Sequence, residues 1–516
     1  MRVERFLTES AIHHPGKTAL VAGGTRLSFA ELNRASDALA IALVRNGLKH
    51  GDRAVIFMDN CWEAVVSIFA VLKAGGVFVP INPSTKADKL GYVLNDCRAT
   101  VLIAQARLMT TADTALKETP SVQLSIVAGS KKTISGAGRI SFEDALQSDS
   151  STSLPPSGIE LDLAMLVYTS GSTGFPKGVM MTHQNVVAAA TSITAYLEIT
   201  VGDIILNVLP ISFDYGLYQV LMAAKSGATI VLEKSFAFPQ AILETMKAER
   251  VTGLPLVPTM AALILQMKDV KGDDFPYLRY ITNTAAALPP AHIVRLQDLF
   301  PQAKLYSMYG LTECKRCTYL PPAELERRPG SVGIAIPGTE AYVVNENGGR
   351  AAPGETGELV IRGPHVMKGY WENPEATARA LRDGPFPWER VLYTGDLFRA
   401  DADGFLYFLG RKDDVIKSRG EKVSPKEVEN VLYQLAGIVE AAVIGVPDPI
   451  LGHAIKAVVA LAPDAKLTER DIIRHCASHL EDFMVPKLIQ FRAALPKTES
   501  GKISRRLVAE SVSEAA

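Results

Sequence analysis

The stretch from Tyr168 to Val179 reads YTSGSTGFPKGV, twelve residues with three glycines, five hydroxyl side chains and one lysine. Glycines let backbone N–H groups approach phosphate oxygens closely, Ser and Thr hydroxyls add donors, and Lys177 adds a charge. A plain linker needs no lysine at a fixed point; a phosphate cradle needs all three ingredients. The spacing is not that of Gly, four residues, then Gly-Lys-Ser/Thr. Pro176 stands five positions after Gly171, and Gly178 follows Lys177. The phosphates therefore belong to another nucleotide-binding architecture.

Regular elements have to hold such a loop. The apolar run AMLVY before it predicts a central strand, and THQNVVAAATSITAYL after it predicts a helix capped by Thr182. The loop then lies at the carboxyl end of a strand, where open α/β sheets receive ligands. Upstream, Ser28 to Gly47 is an amphipathic helix, with Ser28 and Glu31 as a capping box and Gly47 as its stop. DRAVIFM is a strand and Glu63 to Lys73 a helix. Strand and helix signals alternate to about residue 310, which predicts a doubly wound α/β core. After residue 330 short strands with Gly and Pro dominate, as in GETGELVIRGP and GFLYFLGR. Past Arg411, SPKEVENVLYQL predicts a helix, and VEAAVIGV and AIKAVVAL predict strands. The expected fold class is α/β. Residues 1–411 form a large N-terminal domain of doubly wound sheets, with a small β-rich subdomain at about 330–411. Residues 412–516 form a small α+β domain. SDSSTSLPPSG, residues 148–158, reads as an exposed loop.

Four more stretches follow in order: YGLTE at 309–313, YTGD at 393–396, GRKDDVIKSRGEKVSP at 410–425 and PKTESGKISRR at 496–506. With YTSGSTGFPKGV they resemble the motifs of the adenylate-forming superfamily of acyl-CoA synthetases, adenylation enzymes and luciferases, from about residue 10 to the C-terminus. The resemblance implies a mobile C-terminal domain and these roles. Thr169, Ser170, Gly171, Ser172, Thr173, Gly174 and Lys177 hold the β- and γ-phosphates of ATP. Thr312 meets the α-phosphate, Glu313 holds Mg²⁺, and Tyr309 stacks on adenine. Asn283, Thr284 and Ala285, in NTAAAL, belong to the adenine and acyl wall. Thr284 departs from the family's usual Gly and narrows that wall. Asp396 accepts the ribose hydroxyls, and Arg411 is a second ribose or phosphate contact. Asp413 is the hinge, Lys502 bridges the substrate carboxylate and the α-phosphate, and Gly420 lies beside the pantetheine arm in the thiol step. Arg505 and Arg506 read as a solvated basic tail.

The resemblance implies that the nucleophile is a carboxylate already ionised at neutral pH. That accounts for the lack of any conspicuous His/Asp or Ser/His pairing. The remaining task is electrostatic: one anion must be brought against a polyanion. LPISFDYGLY, 209–218, matches the acyl-pocket motif. Phe213 and Asp214 resemble amino-acid adenylating members, in which the Asp pairs with an ammonium. Tyr215, Gly216, Leu217 and Tyr218 depart from them. Pro255, Ile281, Met308, Arg316 and Cys317 are further pocket positions. The lining suits a small or medium, partly polar acid rather than a long fatty chain, and Arg316 either meets a second carboxylate or faces water.

The whole-chain numbers set bounds. Net charge is −1, from 54 basic and 55 acidic residues, which gives no general attraction to nucleic acid or an anionic membrane. No apolar run reaches spanning length and no secretory signal opens the chain, so a cytoplasmic enzyme without stable membrane insertion is expected. Five cysteines in 516 residues are no disulfide framework. Cys314 and Cys317 lack the second pair that zinc commonly requires. His183 and His453 read as structural or solvated. The expected function is ATP- and Mg²⁺-dependent activation of a small carboxylic acid as its adenylate, then transfer to the thiol of CoA. The alternatives are loading of an amino or other polar acid onto the phosphopantetheine of an acyl or peptidyl carrier protein, and a non-catalytic nucleotide sensor.

Overall fold

The computed structural model describes residues 1–130, 138–148, 154, 158–169, 176–267, 269–284, 288–414, 416–418, 421–448, 452–480, 482–498 and 502–513. Ser170 to Gly174, Ala285 and Gly420 lie outside the described residues, as does most of the 148–158 stretch.

Two large sheets dominate. Among the described residues, a nine-stranded sheet has a parallel centre running from Thr18–Ala22 through Thr229–Leu232, Ile204–Asn207, Gly253–Leu256 and Tyr280–Asn283 to Lys304–Tyr309. Its edges are antiparallel. The eight-stranded sheet is parallel from Leu163–Thr169 outward to Arg139–Ser141. The helix at Phe29–Arg45 carries the reciprocal Ser28–Glu31 capping box, and Gly47 beyond it takes a positive φ of 97°. This helix and Trp62–Lys73 bury apolar faces in the largest core cluster.

The glycine-rich loop departs from the strand–loop–helix expectation. β1 (Leu163–Thr169) runs through the loop into an antiparallel partner, β2 (Lys177–Thr182), with Thr169 opposite Lys177. The helix α1 (His183–Tyr196) follows, capped by Thr182 with Asn185 reciprocating. In the sequence KGVMMT has no distinct strand signal, because a six-residue strand beside Gly and Pro is only weakly marked.

A third sheet joins Glu340–Val344, Gly357–Arg362, Arg390–Ala400, Leu381–Asp383 and Leu406–Arg411. This β-rich part is stitched to the large sheets. Gly369–Tyr370 pairs with β2, and Ile334–Ala335 edges the nine-stranded sheet. The fourth sheet contains Ile438–Asp448, Gly452–Leu461 and Leu488–Phe491 and has its own apolar clusters. The helix Pro425–Leu432 packs on it, with Ser424 as cap and Pro425 at its first position.

Candidate active site

The parallel strands deliver the site residues at their carboxyl ends. α2 (Asp214–Ser226) opens with Asp214 in its first turn, where the helix dipole favours a carboxylate. Phe213 is its half-buried N-cap residue. The preceding loop crosses close over the helix. A Cβ on Gly216 would stand 2.4 Å from the Pro210 carbonyl oxygen, so only glycine fits. Asn60 and Asn207 secure this loop. Asn60 donates to the Leu209 carbonyl at 2.9 Å and accepts from the Ile211 N–H at 3.0 Å. Asn207 accepts from the Leu209 N–H at 3.1 Å. Neither residue lies in a motif, so the sequence reading missed both.

β3 (Tyr280–Asn283) brings Asn283 and the following Thr284 to the wall, both buried. β4 (Lys304–Tyr309) brings Met308, whose sulfur accepts from the Tyr196 hydroxyl at 2.9 Å, and Tyr309. The chain then turns sharply. The Lys315 N–H donates to the Leu311 carbonyl at 2.7 Å, and Lys315 adopts a positive φ of 65°. A Cβ on Gly310 would lie 1.8 Å from the Lys315 carbonyl oxygen, so the YGLTE glycine is what lets the turn close. Thr312 and Glu313 are half-buried on this turn. The buried Cys314 and Cys317 sulfurs lie 2.9 Å apart, both as free thiols.

Two clusters gather around that turn. In the first, the Tyr370 hydroxyl donates to Glu313 Oε1 at 2.7 Å, and Lys177 Nζ sits 5.5 Å from the centre of the Tyr370 ring. Burial, then the Glu313 charge, pushes the Tyr370 phenol up, so it stays a donor. In the second, β5 (Arg390–Ala400) and β6 (Leu406–Arg411) pair Asp396 with Arg411 in register. Tyr309 donates to Asp396 Oδ2 at 2.5 Å, and Arg411 Nε donates to Oδ1 at 3.2 Å. Burial raises the Asp396 pKa, and Arg411 and Tyr309 oppose the rise. The Tyr309 ring lies against Phe398 and Phe408, at 4.9 and 6.0 Å between ring centres.

The residues expected to line the acid carry their own charges. Arg316 Nη1 lies 3.7 Å from Asp214 Oδ2, and its guanidinium covers the Tyr215 ring at 4.5 Å. Tyr215 donates to the Thr282 carbonyl at 2.7 Å, and Tyr218 is buried one turn along α2. Asp214 thus faces a cation of the protein itself.

Asp413 lies in a 3-10 turn, Lys412–Asp414; its side chain is outside what is described. Lys502 arrives from the C-terminal part. It is exposed to solvent, yet enough protein stands around its ammonium to lower its pKa, with Asp214 opposing that shift. Arg411, Arg316 and Asp396 also act on its charge. Arg505 is not a solvated tail residue. It grips both oxygens of the buried Glu429 at 2.8 and 2.7 Å and reaches Asp414 at 2.9 Å. Arg506 pairs with Glu510 in an exposed contact. His183 is structural: its Nδ1 accepts the Val3 N–H at 3.1 Å in a buried setting. His453 is exposed.

Among the described residues no cluster of three or more His, Cys, Asp or Glu side chains is poised to hold a metal. Glu313 alone still fits Mg²⁺, which binds through one or two carboxylates together with substrate phosphates rather than in a protein cage. Its half-buried carboxylate, oriented by Tyr370 on one oxygen, suits that use.

Comparison with known proteins agrees with this arrangement. Residues 7–371 match the AMP-binding enzyme family, and residues 427–502 match the AMP-binding enzyme C-terminal domain. A long-chain-fatty-acid–CoA ligase of Bacillus subtilis (strain 168) is 33% identical, across 99% of this chain and 95% of its own. A feruloyl-CoA synthase of Amycolatopsis sp. is 35% identical, across 95% and 94%. The ATP-bound crystal structure of MatB from Rhodopseudomonas palustris superposes with a TM-score of 0.89 at 29% identity, over all of both chains. The apo form of that protein superposes at 0.80. The chain belongs to the AMP-binding, adenylate-forming enzyme superfamily.

Proposed function

We propose that this AMP-forming acid–CoA ligase activates a small or medium, partly polar carboxylic acid. The observation that carries the reading is Arg316, which lies 3.7 Å from Asp214 and 4.5 Å from the centre of the Tyr215 ring, so that the residues assigned to the acid carry charge. The better match to ATP-bound than to apo MatB supports an arrangement suited to the first half-reaction. We take residues 1–411 as the large domain, residues 412–516 as the small one, and Asp413 as the hinge between them.

In that half-reaction a carboxylate oxygen attacks the α-phosphorus of ATP. The bond from that phosphorus to the bridging oxygen of the β-phosphate breaks, and pyrophosphate leaves. Lys177 and the loop beside it, Thr169 to Gly174, cradle the β- and γ-phosphates. Thr312 donates to the α-phosphate. Lys502 holds the two reacting anions together and offsets their repulsion. Glu313, kept in position by Tyr370, would hold Mg²⁺, which when bound neutralises phosphate charge during the displacement. Asp396 and Arg411 take the ribose. Tyr309, Thr284 and Ala285 serve the adenine. Phe213, Asp214, Tyr215, Tyr218, Asn283, Met308 and Arg316 line the acid.

In the second half-reaction the thiol gives up its proton to water, its sulfur attacks the acyl carbon, the acyl–phosphate bond breaks and AMP leaves. Rotation about Asp413 withdraws Lys502 and brings in the Gly420 segment, where a missing side chain leaves room for the pantetheine arm. The relatives' names support free CoA as acceptor over a carrier protein. Dependence on ATP and CoA is the ground for a cytoplasmic setting. Among the described residues no helix is long and apolar enough to cross a membrane.

A panel of acids with ATP and Mg²⁺ tests the reading. At least one acid releases pyrophosphate, and CoA then yields the thioester with AMP. Production of ADP instead, or no release with any acid, would overturn it.

A further inference from the structure

Lys315 and Arg316 follow the Thr312–Glu313 pair directly, and both are buried, at 0% and 3% exposure. Buried ammonium groups are costly unless hydrogen-bonded. Lys73 illustrates the rule in this molecule. Its Nζ donates to the Asn33 carbonyl and side chain, to Ser36 and to Asp37, at 2.7–3.1 Å. Lys315 breaks the rule. Among the described residues its Nζ has no hydrogen-bond partner, only the Tyr218 ring with its centre 5.9 Å away. Two further buried donors beside it are unused: Arg316 Nε and the Tyr218 hydroxyl, the latter on a residue 1% exposed.

Their contacts tie these orphaned groups to Asp214 and Tyr215, two residues assigned to the acid. Arg316 stacks on Tyr215 and approaches Asp214, and Arg316 and Asp214 are both felt by Lys502. Lys315 in turn feels Asp214 first among its charged neighbours, then Glu313. Asp214 and Glu313 together face the two cations Lys315 and Arg316. Since Asp214 already faces Arg316, it is not free to receive an ammonium on the substrate. The positive φ of Lys315 has no glycine to relax it, and such strain persists where the surroundings enforce it, often at ligand sites.

We propose that Lys315, Arg316 and Tyr218 form a subsite for a second anionic oxygen group at the far end of the substrate, making the acid a dicarboxylate or its equivalent. A carboxylate has two oxygens and about four lone-pair sites, enough for the three unused donors. The inference rests on the ligase reading above and names its substrate class.

The test measures kcat/KM for pyrophosphate release with ATP, Mg²⁺ and CoA. Matched series of monocarboxylates, α,ω-dicarboxylates and α-amino acids of about three to eight carbons are compared, a size range set by a pocket for small ligands. The best dicarboxylate exceeds its monocarboxylate counterpart by about 100-fold, since buried donors left unpaired penalise the wrong acid. Lys315→Met cuts that ratio by about tenfold while monocarboxylate turnover holds or rises, and Tyr218→Phe also cuts the ratio by about tenfold. Tyr218→Phe keeps the test decisive if Lys315→Met fails to fold. A wild-type preference for monocarboxylates or α-amino acids overturns the subsite and leaves the ligase intact. An unchanged ratio in both variants does the same. Silence with every acid takes down the ligase reading as well.

Discussion

Tyr309 donates its hydroxyl to Asp396 Oδ2 across 2.5 Å, tying the end of a central parallel strand to the β-rich sheet. A tyrosine assigned to adenine thereby aims the carboxylate assigned to ribose. Arg411 holds the other oxygen, so the carboxylate is oriented before nucleotide arrives. Tyr309→Phe keeps the ring and frees one oxygen. We expect KM for ATP to rise about tenfold, the scale of one hydrogen bond to a charged group, with a smaller change in kcat. Steady-state kinetics with varied ATP measures this. An unchanged KM would show that Asp396 needs no such support.

Tyr370 is the corresponding positioning residue for Glu313. Tyr370→Phe should raise the Mg²⁺ concentration giving half-maximal rate by about tenfold, as loss of an outer-shell partner does. Glu313→Gln should depress the rate at every Mg²⁺ concentration, and chelation with EDTA should stop pyrophosphate release in the wild type. A Mg²⁺ titration identical to wild type in Tyr370→Phe would leave that hydrogen bond without a role.

His183 makes stability depend on pH. Burial holds its pKa down at about 4, against an ordinary value of 6.5, and protonation would break its bond from the Val3 N–H. A depressed folded value means its contribution is fully present above pH 6.5 and is lost as pH falls through about 4. The contribution at neutral pH is about 3 kcal/mol. Thermal midpoints of wild type should fall across that window, and His183→Gln should fall less. Parallel curves would exclude His183 as the cause.

Arg505 holds Asp414, just past the hinge position, to Glu429 in the C-terminal part. Arg505→Ala leaves the Glu429 carboxylate buried without its cation, a loss of about 3 kcal/mol. Limited proteolysis should then cut the C-terminal part first. Pyrophosphate release should slow, because Lys502 lies three residues upstream on the chain that Arg505 anchors. Unaltered proteolysis would contradict this.

Much of the fold was legible because periodicity and capping are local. The Ser28–Glu31 box, the Thr182 cap and Pro425 at a helix start all stand where the residue types predict. The Lys177–Thr182 strand was hidden because its identity depends on pairing with Leu163–Thr169. In the site, motif residues such as Asp396 and Lys502 stood out by their fixed spacing. Their supports did not. Tyr370 reaches Glu313 across 57 positions, Asn60 reaches Leu209 across 149, and Arg505 reaches Glu429 across 76. Such pairs carry no local signature. Lys315 was passed over for a related reason: a lysine beside an arginine reads as surface, and only burial without a partner distinguishes it.

The most direct test separates the two half-reactions in Lys502→Ala. Formation of acyl-adenylate from acid and ATP should fall at least ~100-fold, the cost of removing a cation from a site that stabilises developing charge. Transfer from supplied acyl-adenylate to CoA should stay within about threefold of wild type, since Lys502 has then withdrawn. Equal loss in both half-reactions, or in neither, would contradict the assignment of Lys502 to the first step.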